Sequence, residues 1–147
     1  MVRPKRIPIM AGDRLFLDTG FVLAWFNRRD QYHEVARKLA GSFLACRELW
    51  TTEAILLEVG AAFCSPGQRS IMTHLWDRFH SDPRCQLAAF NGVLLNRAME
   101  LFRNRSDKEW SLVDCVSFVV MTDEHLTDSL SCDQHFVQAG FRALMLE

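Results

Sequence analysis

The chain has 147 residues, of which 49% are apolar and 24% are charged, and its formal net charge is −1. This length and composition predict one globular domain with a single sizeable core. No segment approaches the roughly 20 uninterrupted apolar residues of a membrane-spanning helix. The near-neutral charge argues against a surface devoted to non-specific nucleic-acid binding, although it leaves room for a local basic rim.

The first thirteen residues are basic and contain only the short apolar run IPIM, which is too little for the core of a signal peptide. We therefore expect a cytoplasmic protein in which residues 1–13 form a tail and residues 14–147 form the domain. The five cysteines are odd in number and scattered, which predicts reduced core residues and neither a disulfide framework nor a zinc site. Cys132 and His135 have a ligand-like spacing, but the sequence contains no second Cys/His pair of this kind.

Short apolar runs alternate along the chain with segments that show helical spacing. Strands are predicted at 14–18, 48–52, 85–90 and 127–131, with a closing strand at 141–146. Helices are predicted at 21–29, 31–45, 53–63, 68–80, 91–105 with Asn91 as its cap, 112–121 and 135–139. Strands separated by helices of this length predict an α/β fold with a central, mainly parallel sheet flanked by helices.

The stretch DKEWSLVDCVSFVVM, residues 107–121, carries a charge where burial is expected. Asp114 is the only charged residue between Leu112 and Met121. A lone carboxylate in an apolar helix is costly unless it is paired, hydrogen-bonded or bound to a cation. Ser111 and Asp114 have the spacing of a helix N-terminal capping box, which is the ordinary structural explanation. Spacing alone leaves both capping and cation binding open.

Three more acidic residues raise the same question of whether a carboxylate has a structural role or binds a cation. Asp18 and Asp133 each lie at or just beyond the end of a predicted strand, and Glu58 is the only charged residue between Ala54 and Phe63. Because the carboxyl ends of parallel strands form one ligand-binding edge, these residues and Asp114 can meet there. Clustered carboxylates need a cation, and a purely oxygen ligand set suits Mg²⁺ or Mn²⁺. Metal-dependent phosphodiester hydrolysis is the chemistry this implies.

Each of these residues also has an ordinary explanation. Asp18 fits a turn, Asp133 fits a helix cap, and Glu58 fits half of a buried ion pair. A phosphatase on a similar sheet is a weaker alternative, because it would require a second Asp two residues after a strand-end Asp, and position 20 is Gly.

The sequence resembles the PIN domain, specifically the small bacterial PIN ribonucleases that include the VapC-type toxins of toxin–antitoxin pairs. The resemblance is carried by LFLDTG (15–20), TTEAILLEVG (51–60), DKEWSLVDCVSF (107–118) and SCDQHFVQAGF (131–141). It implies a PIN-like α/β/α sandwich. It also implies a pocket that binds Mg²⁺ or Mn²⁺ and activates water for cleavage of single-stranded RNA.

The resemblance assigns roles to individual residues. The family's acids match Asp18, Glu58, Asp114 and Asp133. Asp18 and Asp114 are expected to be direct metal ligands, Glu58 to bind metal or position the water, and Asp133 to be the least certain of the four. Thr19 and Ser111 match small hydroxyl positions beside the first and third acids.

A basic cluster precedes the central stretch and is expected to contact the RNA backbone. It consists of Arg97, Arg103, Arg105 and Lys108. Positive charge near a helix C-terminus also complements the helix dipole, so this role has an alternative. Trp110 is expected to pack in the core, with base stacking as the alternative.

The function expected from the resemblance is a metal-dependent endoribonuclease of the toxin type that forms a homodimer and is held inactive by a cognate antitoxin. One alternative is a PIN-fold nuclease that processes RNA and has no antitoxin. Another is a non-catalytic PIN module that binds RNA or protein. Loss of folding stability on Asp18→Asn would favour the non-catalytic module.

Overall fold

The structure is a computed structural model and describes residues 14–147, so the predicted N-terminal tail lies outside the described residues. Within this range five strands form one sheet in which all pairings are parallel. The strands are β1 (Arg14–Leu17), β2 (Glu48–Thr52), β3 (Cys85–Ala88), β4 (Asp128–Leu130) and β5 (Arg142–Ala143). The α/β fold with a parallel sheet is therefore confirmed.

Seven α-helices and a short C-terminal 3-10 helix, Leu144–Leu146, connect and cover these strands in the described part of the chain. The α-helices are α1 (Thr19–Phe26), α2 (His33–Ala45), α3 (Glu53–Ala62), α4 (Arg69–Ser81), α5 (Gly92–Asn104), α6 (Leu112–Asp123) and α7 (Gln134–Gln138). No helix among the described residues is long and apolar enough to cross a membrane.

The strand order β3-β2-β1-β4-β5 places β1 at the centre of the sheet. The chain moves outward from β1 through β2 to β3 and then returns to the other side of β1 with β4. Such a reversal creates a crevice beyond the carboxyl ends of the two adjacent strands, where ligands bind in open α/β sheets. The backbone N–H of Asp18, just after β1, donates to the carbonyl of Leu130 at the end of β4 over 3.2 Å, which closes the two strand ends together.

The core lies on both faces of the sheet, as a parallel sheet requires. Leu15, Phe16 and Leu17 of β1 are completely buried. Helix α6 is buried from Cys115 to Met121, which explains why its sequence is apolar around nearly the whole circumference. Phe136 of α7 is also completely buried.

The prediction of a closing strand over 141–146 is wrong for most of its length. Strand β5 has only two residues, Arg142 and Ala143, and the 3-10 helix follows at once. Leu144 and Met145 are both buried. Consecutive residues of an extended strand point to opposite faces, so a helical turn is the way to place both of these side chains inside at the edge of the sheet.

Candidate active site

Asp18 ends β1 and is the N-cap of α1, with an extended backbone at φ −101° and ψ 155°. Its side chain is 8% exposed and accepts a 2.7 Å hydrogen bond from the Ser131 hydroxyl. Burial raises the pKa of the carboxyl to about 7; hydrogen bonds from Ser131 and the Thr19 backbone oppose this, and the charges of Asp114 and Asp133 add to it. A carboxylate in this position requires a positive charge to be stable in its ionised form.

Ser131 connects the first and fourth acids, and the sequence analysis did not single it out. Its side chain is completely buried, and its oxygen accepts a 3.0 Å hydrogen bond from the backbone N–H of Asp133 while its hydroxyl donates to Asp18. This one hydroxyl group therefore fixes both the orientation of the Asp18 carboxylate and the start of α7.

Asp114 is part of the capping box predicted for α6. Its backbone N–H donates to the Ser111 hydroxyl, and the Ser111 N–H donates to Asp114 Oδ2, each over 3.0 Å. The same Oδ2 lies 2.9 Å from Nδ1 of His135. Capping and membership of the acidic cluster are thus compatible, because both contacts use one oxygen and leave Oδ1 for another partner.

Asp133 caps α7, as the ordinary explanation of this residue predicted. Its Oδ1 accepts a 2.8 Å hydrogen bond from the backbone N–H of His135 and lies 3.3 Å from the imidazole Nδ1. A carboxylate oxygen of Asp114, a carboxylate oxygen of Asp133 and a ring nitrogen of His135 all lie within 4.8 Å of one another. The sequence analysis expected a purely oxygen ligand set, and the structure instead places an imidazole within the acidic cluster.

Glu58 reaches the site through Thr19. The Thr19 hydroxyl donates to Glu58 Oε2 over 2.6 Å, and Thr19 directly follows Asp18. Glu58 is half-buried, and its carboxylate is held by this hydroxyl. The structure therefore brings Glu58 beside the first acid but outside the compact cluster of Asp114, Asp133 and His135.

Gly20 allows α1 to start close to the segment that follows β4. A Cβ atom added at Gly20 would lie 2.9 Å from Sγ of Cys132, which is closer than real Cβ contacts allow. Burial, followed by the charge of Asp18, raises the pKa of the Cys132 thiol to about 11. The thiol is therefore protonated at neutral pH in the metal-free protein.

Three of the five cysteines are core residues, as predicted. Cys64 is exposed and Cys132 is partly exposed; the buried ones are Cys46, Cys85 and Cys115.

The basic cluster before α6 is partly engaged by acids. Arg97 pairs with Asp123 of α6, with its Nη2 2.8 Å from Oδ1, and Arg105 pairs with Asp107 over 2.9 Å. Arg103 is exposed. Arg103 is thus freer to contact a phosphate than either of the two paired arginines.

Trp110 packs, as expected. It is 5% exposed, its indole N–H donates to the Gln138 side chain over 3.0 Å, and its ring meets Phe118 edge-on at 5.0 Å between centroids. The hydrogen bond between Trp110 and Gln138 connects the start of α6 to α7, so it helps to hold Asp114 and His135 close together.

The donor set fits a divalent cation. Asp18, Asp114 and Asp133 converge from β1, α6 and the turn before α7: the charges of Asp114 and Asp133 act on Asp18, and both residues lie with His135 in one compact cluster. The residues that the sequence analysis missed, Ser131 and His135, alternate with Asp133. The side-chain oxygens of Ser131 and Asp133 each accept from the backbone N–H two residues later, a pattern common at helix starts, and this spacing was the available signal.

Comparison with known proteins places these features in a family. A sequence model of the PIN domain matches residues 15–142, which is most of the chain. The crystal structure of Mycobacterium tuberculosis VapC20, described as a Sarcin-Ricin loop cleaving toxin, is similar with a TM-score of 0.75 and 22% sequence identity, covering 88% of this chain and 97% of that chain. No curated protein matches the sequence. The chain belongs to the PIN domain family.

Proposed function

We propose that the protein is a Mg²⁺- or Mn²⁺-dependent endoribonuclease that hydrolyses phosphodiester bonds in single-stranded RNA. The observation that carries the proposal is the buried carboxyl of Asp18, whose pKa is raised to about 7 by burial and by the neighbouring charges of Asp114 and Asp133. Strongly perturbed carboxylates that face one another are typical of functional sites. A purely structural role offers no reason to maintain such a destabilising arrangement.

Asp18 and Asp114 would hold the cation, with Asp133 and Glu58 completing its surroundings. A divalent ion held by carboxylates lowers the pKa of a bound water and stabilises charge on the leaving oxygen of a phosphodiester. The chain's own groups fix the geometry. The Ser131 hydroxyl orients Asp18, the Ser111 backbone N–H orients Asp114, and the Thr19 hydroxyl holds Glu58 by Oε2. This leaves Oε1 of Glu58 to orient the attacking water or take its proton.

The biological setting that this proposal favours is a VapC-type toxin of the cytoplasm, controlled by a cognate antitoxin and acting as a homodimer. The similarity in fold to VapC20, itself described as a Sarcin-Ricin loop cleaving toxin, supports this choice over a processing nuclease without an antitoxin. A small neighbouring reading frame that encodes a DNA-binding partner would support the toxin assignment further. A phosphate contact by Arg103 or Lys108 is part of the same proposal.

Cleavage of labelled single-stranded RNA by purified protein tests the activity, with Mg²⁺, Mn²⁺ or EDTA, in the native protein and in Asp114→Asn. Asparagine keeps the size and the capping capacity of Asp114 but removes its charge. We expect cleavage that requires metal and falls at least about 100-fold in the variant, since transition-state stabilisation at such sites is worth several kcal/mol.

Asp107→Asn is the matched control, because Asp107 is an exposed carboxylate that pairs with Arg105. It should cleave like the native protein. Metal-dependent cleavage that survives in folded Asp114→Asn would place the activity elsewhere and refute the proposed site.

A further inference from the structure

His135 lies where it can act on two of the acidic residues at once. Its Nδ1 is 2.9 Å from Asp114 Oδ2 and 3.3 Å from Asp133 Oδ1, and its side chain is 24% exposed. An ionised carboxylate only accepts hydrogen bonds, so Nδ1 carries a hydrogen in this arrangement. A nitrogen that donates a hydrogen has no lone pair to offer to a cation.

The backbone of His135 is held firmly relative to α6. The next residue, Phe136, is completely buried and its ring meets Phe118 of α6 edge-on at 5.0 Å between centroids. Trp110 and Gln138 add the hydrogen bond between the entry of α6 and α7. The imidazole is therefore held beside Asp114 by α7, a helix that packs against α6.

The contact with His135 restricts the side-chain torsion of Asp114. Oδ2 receives both the Ser111 backbone N–H and the His135 imidazole, and Oδ1 is thereby directed away from the helix start. Hydrogen-bonding partners of metal ligands set the orientation of those ligands, and losing such a partner typically weakens metal binding by about 10–100-fold.

We propose that His135 is a positioning residue that holds Asp114 and Asp133 in the orientation that binds the divalent cation, through its Nδ1–H and without ligating the cation itself. This inference rests on the proposed metal-dependent function. It assigns a role to a residue that is neither an acid nor a direct ligand in that function.

Three substitutions separate positioning from ligation. The amide nitrogen of Asn reaches the place of imidazole Nδ1, whereas the longer side chain of Gln reaches the place of Nε2. A positioning role predicts that His135→Asn retains function and that His135→Gln and His135→Ala do not. A ligating Nε2 predicts that His135→Gln performs better than His135→Asn.

The readout is the dissociation constant for Mn²⁺, measured by titration calorimetry on metal-free protein. We expect binding about 10–100-fold weaker in His135→Ala and His135→Gln, and within about threefold of native in His135→Asn. His80→Ala is the matched control, because His80 is an exposed histidine of α4 that bonds a backbone carbonyl, and it should bind Mn²⁺ like the native protein. Circular dichroism and thermal unfolding of each variant show that α7 is still folded.

These measurements distinguish failure of the role proposed for His135 from failure of the proposed metal-dependent function. Equal Mn²⁺ affinity in native protein and folded His135→Ala would overturn the role of His135 alone, as would stronger binding by His135→Gln than by His135→Asn. Unfolding of all three variants would mean that His135 serves the fold, and would also overturn it. If the native protein binds no Mn²⁺ and cleaves no RNA, the proposed metal-dependent function fails, together with the cation that His135 would serve.

Discussion

Asp18 and Asp82 lie at opposite edges of the same sheet and differ in what surrounds them. Asp82 precedes β3 at the amino edge, which is the side of the sheet formed by the amino ends of the strands. There Arg84 contacts its Oδ2 at 2.9 Å and Arg78 approaches it at 3.7 Å. The hydrogen bond from Arg84, followed by the backbone N–H of the same residue, lowers the pKa of Asp82 to about 2. Asp18 lies at the carboxyl edge, where burial and two further negative charges raise its pKa to about 7.

From this difference we expect the carboxylates beside Arg84 and Arg14 to serve stability and those around Asp18 to serve the proposed chemistry. The amino edge also pairs Arg14 of β1 with Glu48 of β2 over 2.8 Å, so opposite charges neutralise one another there. At the carboxyl edge the charges that act on Asp18 are those of Asp114 and Asp133, and both are negative. The free energy of unfolding should therefore depend on pH in opposite directions at the two edges.

The largest effect on stability is expected from Asp18→Asn in metal-free protein. Below about pH 4 the native carboxyl is protonated in both the folded and the unfolded state and adds no pH dependence. Between pH 4 and 7 the unfolded state releases a proton that the folded state retains, so stability falls as pH rises. Above pH 7 the penalty is constant.

Because one pKa unit corresponds to about 1.4 kcal/mol, the variant should be more stable than native protein at pH 8 by up to about 4 kcal/mol. The difference should shrink towards zero near pH 4. Urea unfolding at the two pH values measures it. A variant less stable than native at pH 8 would indicate a structural role for Asp18 and would favour a non-catalytic module.

Metal should narrow this difference in stability between native protein and variant. A ligand that binds only the folded state at 100 times its dissociation constant stabilises by about 2.7 kcal/mol. We expect Mn²⁺ to raise the melting temperature of the native protein at pH 8, and to have little effect on Asp18→Asn. Asp82→Asn is the control for a carboxylate outside the site, and it should respond to Mn²⁺ as the native protein does. An equal shift in Asp18→Asn would show that Mn²⁺ binds elsewhere.

The smallest effect is expected at the amino edge itself. Asp82→Asn removes a partly exposed ion pair, and such pairs contribute about 0.2–1 kcal/mol. The pKa of Asp82 is lowered in the folded state, so its contribution is present above pH 4 and is lost as pH falls towards 2. Urea unfolding at pH 7 should show a small loss of stability with unchanged RNA cleavage. A large loss of RNA cleavage in Asp82→Asn would contradict the expectation that the amino edge serves stability and the carboxyl edge serves catalysis.

The fold could be predicted from the sequence where local pattern and tertiary packing demand the same structure. Strand β2 matches its prediction over 48–52, and Asn91 caps α5 by accepting from the Leu94 backbone N–H. The C-terminal segment was mispredicted because an apolar run does not reveal whether successive side chains are buried on opposite faces or on the same side. In the structure the 3-10 helix settles that choice, and its Met145 N–H donates to the carbonyl of Ser131, just after β4, over 3.2 Å.

For the candidate site, the sequence by itself determined that Asp18, Asp114 and Asp133 occur at predicted strand ends or helix starts and that Glu58 lies within an apolar helix. An isolated charge in an apolar segment is conspicuous in any sequence. Only the tertiary structure decided that Asp18 is buried where the charges of Asp114 and Asp133 act on it, that Glu58 is held through Thr19, and that Ser131 and His135 join the acids. Hydroxyl and imidazole groups are common on surfaces and carry no such local signature. Their roles depend on which distant groups the fold brings within hydrogen-bonding distance, and that follows from the packing of α6 and α7 against the sheet.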